Sequence, residues 1–142
     1  MIVIDASVAA KSYLNEAGTD AAIALMTGHE QLIAPQLIQV EVIAAICGNV
    51  RKGALTEQEA EDRCNRWLRH LADDVMLLHP DRMVLDNAAG LALTYKHPVQ
   101  DCVYLAVANH FKVPMITADG RFLKKVASAY SNISLLSGCS AN

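Results

Sequence analysis

The chain opens Met1-Ile2-Val3-Ile4-Asp5-Ala6-Ser7, an apolar run that ends on a carboxylate. A second run of the same kind, Pro114-Met115-Ile116-Thr117-Ala118, is followed by Asp119. Short apolar runs bounded by polar residues read as buried strands. Three further runs, at residues 31–34, 75–79 and 132–136, bring the expected strands (with 2–4 and 114–117) to five. Helical patterns lie between them. That alternation predicts an α/β fold, a parallel sheet covered on both faces by helices.

The helix boundaries carry mechanical signals. Pro35 suits the first turn of a helix running to about Arg51, and Gly53 suits its end. Thr56-Glu57-Gln58-Glu59 has the spacing of a capping box and opens a helix through about Leu71. Asp81 is placed to cap a helix over residues 82–95. Pro98 interrupts that pattern before the next helix begins near Asp101.

With 142 residues, the chain is expected to form one domain over 1–142. Hydrophobic residues make up 53% and aromatic residues 5%, so the expected core is aliphatic and alanine-rich. Fifteen acidic side chains against 12 basic ones give a formal charge of −3. That balance disfavours charge-driven binding by the whole surface and leaves room for a local basic patch. Cys47, Cys64, Cys102 and Cys139 form no C-x-x-C pair, so reduced thiols are expected and zinc is not. No basic leader precedes the first strand, and no apolar stretch reaches the ~18 residues of a membrane span. The expectation is a soluble cytoplasmic protein.

Four carboxylates stand in apolar surroundings: Asp5, Glu41, Asp101 and Asp119. Burying an ionised carboxylate is costly unless it is paired or binds a cation. Asp5 follows a strand, and ligands of open parallel sheets bind beyond the carboxyl ends of strands, where strand order reverses. Asp5 is equally placed to cap the helix beginning near Ser7. Glu41 shares a helix face with Leu37, Ala44, Ala45 and Gly48. Asp101 opens the apolar run Cys102-Val103-Tyr104-Leu105-Ala106-Val107-Ala108, where a first-turn acid also complements the helix dipole. Asp119-Gly120 is by itself a turn signal. Ser7 and Thr117 stand two residues from Asp5 and Asp119, where each hydroxyl can orient a carboxylate or finish a turn.

His29, His70, His79, His97 and His110 form no H-x-x-x-H pair or other ligand spacing. Neither a glycine-rich phosphate loop nor a G-x-S-x-G elbow is present. An oxygen-only donor set favours Mg²⁺ or Mn²⁺. Acids facing a phosphodiester need such an ion between them, so the reaction class indicated is metal-assisted phosphodiester hydrolysis.

Asp5-Ala6-Ser7, Ala34-Pro35-x-Leu37-x-x-x-Glu41, Asp101-x-x-Tyr104-Leu105-Ala106-x-Ala108 and Thr117-Ala118-Asp119-x-Arg121-Phe122 together resemble the four motifs of PIN domains, in order. Their spacing is similar to that of the VapC-type toxins of toxin–antitoxin pairs. The resemblance implies a three-layer α/β/α sandwich around a parallel sheet and an Mg²⁺- or Mn²⁺-dependent endoribonuclease. It further implies a homodimer and a cognate antitoxin that blocks the site. In these terms Asp5, Glu41, Asp101 and Asp119 are the catalytic quartet, with Asp5, Asp101 and Asp119 holding metal and Ser7 and Thr117 beside them. Gln100 and Cys102 depart from the residues common in the family on either side of Asp101. Lys11, Arg51, Lys52 and Arg121 are candidates for RNA phosphates.

Other readings make different demands. A phosphorelay receiver needs a phosphorylatable Asp after the third strand, where His79-Pro80 stands. A haloacid-dehalogenase-type phosphatase needs D-x-D after the first strand, where Ser7 holds the second position. A non-catalytic domain that binds RNA or protein would keep affinity without cleavage.

Overall fold

The structure, a computed structural model, describes residues 1–139. Ile2, Val3 and Ile4 are β-branched, which suits a pleated backbone, and they form β1 (Ile2–Ile4). Ile2 pairs with Leu32 and Val3 with Ile33 of β2 (Leu32–Pro35). On the other side Val3 pairs with Met115 and Ile4 with Ile116 of β4 (Met115–Thr117). The edge strands are β3 (Leu77–His79), beside β2, and β5 (Ile133–Leu135), beside β4. All pairings are parallel, and the order is β3-β2-β1-β4-β5.

Helices cover the two faces of this sheet, giving the expected α/β/α sandwich around five parallel strands. In chain order they are α1 (Ala6–Lys11), α2 (Thr19–Thr27), α3 (Ile38–Arg51), α4 (Glu57–Ala72), α5 (Leu85–Tyr95), α6 (Val99–Phe111) and α7 (Gly120–Val126). The chain builds outward from β1 through β2 to β3, then returns to place β4 and β5 on the opposite side. Strand order therefore reverses between β1 and β4, and the crevice of an open parallel sheet lies at that reversal. α6 packs on β1, β2 and β4, and residues 102–108 are all buried, as expected for a helix apolar on every side.

The capping box forms as the sequence indicates. Thr56 Oγ1 accepts from the Glu59 amide at 3.1 Å, and a Glu59 carboxylate oxygen accepts from the Thr56 amide at 3.0 Å. Gly53 follows α3 at φ +77°, a conformation that carries no Cβ penalty in glycine.

Several boundaries differ from the sequence reading, three of them for a reason that lies elsewhere in the fold. Pro35 closes β2 and does not open α3; Gln36 supplies the amide that bonds His79 O at 2.9 Å, so the missing proline N–H is not needed. Asp81 does not cap its own helix. It lies in a 3₁₀ turn (Asp81–Met83), α5 begins only at Leu85, and Asp81 Oδ1 instead accepts from the Leu37 amide at 3.1 Å. It thereby serves the start of α3, where Leu37 has no capping side chain of its own. The third strand begins at Leu77 and not at residue 75, because the Val75 amide bonds His70 O at 3.1 Å and is spent closing α4.

Cys47, Cys64, Cys102 and Cys139 are free thiols. No helix among the described residues is long and apolar enough to cross a membrane.

Candidate active site

The strand reversal brings the ends of β1 and β4 side by side, and with them Asp5 and Asp119. Asp5 is 4% exposed. Its Oδ1 accepts from the Val8 amide at 3.1 Å, capping α1, and from Ser7 Oγ at 2.5 Å. Its Oδ2 accepts from Thr117 Oγ1 at 2.5 Å. The two hydroxyls are fixed in turn: Ser7 Oγ accepts from the Ala118 amide at 2.9 Å and Thr117 Oγ1 from the Asp119 amide at 3.0 Å. Capping and site placement are thus one arrangement at Asp5, because each carboxylate oxygen has more than one lone pair. Burial pushes the Asp5 carboxyl up to about 6. The hydrogen bonds from Ser7, Thr117 and the Val8 amide oppose that rise, and the neighbouring charge of Asp101 adds to it.

Asp119 caps α7 through Oδ1, which accepts from the Arg121 amide at 2.9 Å and the Phe122 amide at 3.1 Å. Oδ2 is left without a hydrogen bond among the described residues. Asp101 lies in the first turn of α6, which starts two residues earlier than the sequence indicates. Its Oδ2 is 2.6 Å from His97 Nε2. Burial raises the Asp101 carboxyl, His97 lowers it by hydrogen bonding and by charge, and Asp119 raises it. Glu41, half-buried on α3, accepts through Oε2 from the Tyr104 hydroxyl of α6. Burial raises its carboxyl as well. The Tyr104 bond opposes that, and the charges of Asp101 and Asp81 reinforce it. Tyr104 is 1% exposed, and burial together with Glu41 pushes its phenol far up, so it remains a donor.

The four acids line a single cleft of about 550 Å³. Ala6, Ala10, Ala44, Ala45 and Ala118 form much of its wall and keep it wide. Lys11 and Lys52 also line it. Lys11 pairs with Glu16 at 2.9 Å, and Lys52 is exposed. Arg51 and Arg121 do not line the cleft. Thr117 lies behind Asp5, fully buried.

These residues fit a divalent cation. Three carboxyls whose protonation is favoured by burial and mutual repulsion stand together, and a cation reverses both causes. One ligand atom each from His97, Asp101 and Asp119 lie within 4.8 Å of one another, forming a candidate metal-binding triad.

Two residues of this centre were not assigned roles from the sequence. His97 has no partner histidine at ligand spacing, but it stands four residues before Asp101, and H-x-x-x-D was the available signal. Tyr104 was visible within a motif, yet its bond to Glu41 spans 63 residues of chain and has no local signature.

The PIN domain family matches residues 2–128. Ribonuclease VapC3 of Pyrobaculum aerophilum is 27% identical over 124 residues, covering 87% of this chain and 93% of that protein. The match runs from β1 through α7 and takes in all four acids, and on that extent the chain belongs to the PIN domain family.

Proposed function

We propose that this chain is an Mg²⁺- or Mn²⁺-dependent endoribonuclease, the toxin of a toxin–antitoxin pair of the VapC type. The observation that carries this reading is the convergence of Asp5, Glu41, Asp101 and Asp119, from four separate elements, on one cleft at the strand reversal. The similarity to a protein named Ribonuclease VapC3 supports the substrate class.

Asp5, Asp101 and Asp119 would hold the cation. A bound ion of this kind acidifies water and neutralises charge on a phosphate. Among the described residues Glu41 spends only Oε2, and its carboxyl pKa is raised, so it can orient a water and take up its proton, or serve as a further ligand. Ser7 and Thr117 hold both oxygens of Asp5 in fixed directions. Lys52, with Lys11 once it leaves Glu16, would meet backbone phosphates from the cleft wall. In-line attack of water on phosphorus breaks the P–O3′ bond and leaves 5′-phosphate and 3′-hydroxyl ends. The reading includes a single nuclease domain over 1–142, a homodimer, a cytoplasmic location and a cognate antitoxin that closes the cleft.

Purified protein incubated with structured RNAs should cut them with Mg²⁺ or Mn²⁺ and not with chelator. Asp5→Asn and Asp101→Asn should abolish cutting. Either variant cutting at the parent's rate would sink the assignment, and RNA binding without metal-dependent cutting would favour a non-catalytic PIN-like domain.

A further inference from the structure

His97 sits between α5 and α6, immediately before Pro98, the N-cap residue of α6. Its side chain is only 7% exposed. The ring stacks on Phe122 of α7, with centroids 4.7 Å apart and planes 30° from parallel. Nε2 meets Asp101 Oδ2 at 2.6 Å, while Nδ1 is buried with no hydrogen-bond partner among the described residues. An ionised carboxylate can only accept, so the bond requires the proton on Nε2. That tautomer is also the one that strands no buried N–H, since Nδ1 then carries only a lone pair.

Two arrangements of this histidine exclude each other. A cation bound directly to Nε2 needs the lone pair that the Asp101 bond replaces with a proton. The proton would have to move to Nδ1, where no acceptor stands among the described residues. His97 is also not among the residues that line the cleft the four acids share. We propose that His97 is a positioning residue for Asp101 and not a cation ligand. By donating to Oδ2 it fixes the carboxylate's orientation and leaves Oδ1 to the cleft. The stack on Phe122 holds the donor, and Phe122 is itself anchored through its amide to Asp119. One packed unit therefore sets the direction of both aspartates.

The inference rests on the reading of Asp101 as a cation ligand. It is tested on the full chain without RNA, by electron paramagnetic resonance of added Mn²⁺. His97→Phe keeps a stacking ring and removes the donor, and its Mn²⁺ affinity should fall about 10- to 100-fold, the usual consequence of losing a partner behind a ligand. His97→Gln restores an N–H at comparable reach and should bind close to the parent's affinity. Echo-envelope modulation on the unaltered protein should show no ¹⁴N coupling from a directly bound imidazole. A His97→Phe variant that binds Mn²⁺ like the parent overturns the proposal, as does a His97→Gln variant as weak as His97→Phe. A direct ¹⁴N coupling in the parent overturns it without recourse to any variant. Parental affinity in Asp101→Asn removes the reading beneath it as well.

Discussion

The Tyr104 hydroxyl donates to Oε2 of Glu41 and ties α6 to α3 across the cleft. It is the one hydrogen bond to the Glu41 carboxylate among the described residues, and it opposes the rise that burial imposes on that group. Tyr104→Phe should therefore move the Glu41 titration further upward and cost about 1 kcal/mol of stability. Carbon-detected NMR of the Glu41 carboxyl measures the first and urea unfolding the second. An unchanged or lower midpoint would show that the hydroxyl does not hold the charge.

Thr117 is fully buried, and its Oγ1 serves Asp5 as donor and the Asp119 amide as acceptor. Thr117→Val keeps the shape and leaves both partners unsatisfied, so a loss of about 2–3 kcal/mol is expected. The urea midpoint should fall with an unchanged slope. Stability equal to the parent's would mean that water replaces the hydroxyl.

Asp5 is raised from 3.8 to about 6 on folding, so the folded state holds a proton that the unfolded state has released between those values. The corresponding stability is complete below about pH 4 and is lost as pH rises through about 6. For Asp5 by itself this amounts to about 3 kcal/mol, and the raised Glu41 and Asp101 act in the same direction. In chelator, this contribution should lower the Tm between pH 4 and pH 7. Added Mn²⁺ should restore it strongly at pH 7.5 and weakly at pH 5, where protons compete for the same oxygens. Equal Mn²⁺ shifts at the two pH values would contradict the placement of Asp5 in a cation site.

Asp119 both caps α7 and faces the cleft, and two substitutions separate the roles. Asp119→Asn preserves a capping oxygen and should leave stability near the parent's. Asp119→Ala should cost about 1 kcal/mol. Both should reduce metal-dependent cleavage about 100-fold or more. An Asn variant that cuts RNA at the parent's rate would reduce Asp119 to a cap.

Much of this fold was legible because it is written in local periodicity. Ile2, Val3 and Ile4 can hardly be other than a strand, and Thr56 with Glu59 names its own helix start. The errors came where a local signal was answered by a distant group. Asp81 looks like a cap for the helix that follows, yet its carboxylate goes to Leu37, 44 residues away, because β2 and β3 are neighbours. Pro35 looks like a helix opener, yet pairing with β3 keeps it in the strand. At the site, the identities of Asp5, Glu41, Asp101 and Asp119 were visible, but not which of their oxygens the protein has already used.

By itself the sequence determined the elements, the alternation that makes the sheet parallel, and the four acids in chain order. Those follow from backbone preference and from side-chain period, which act over a few residues. Tertiary structure alone decided that strand order reverses between β1 and β4, so that Asp5 and Thr117, 112 residues apart, share a hydrogen bond. It also decided that Tyr104 holds Glu41 and that His97, stacked on Phe122, holds Asp101. These are short-range contacts between groups that only packing brings together, and their strength depends on a burial that no local stretch of sequence sets.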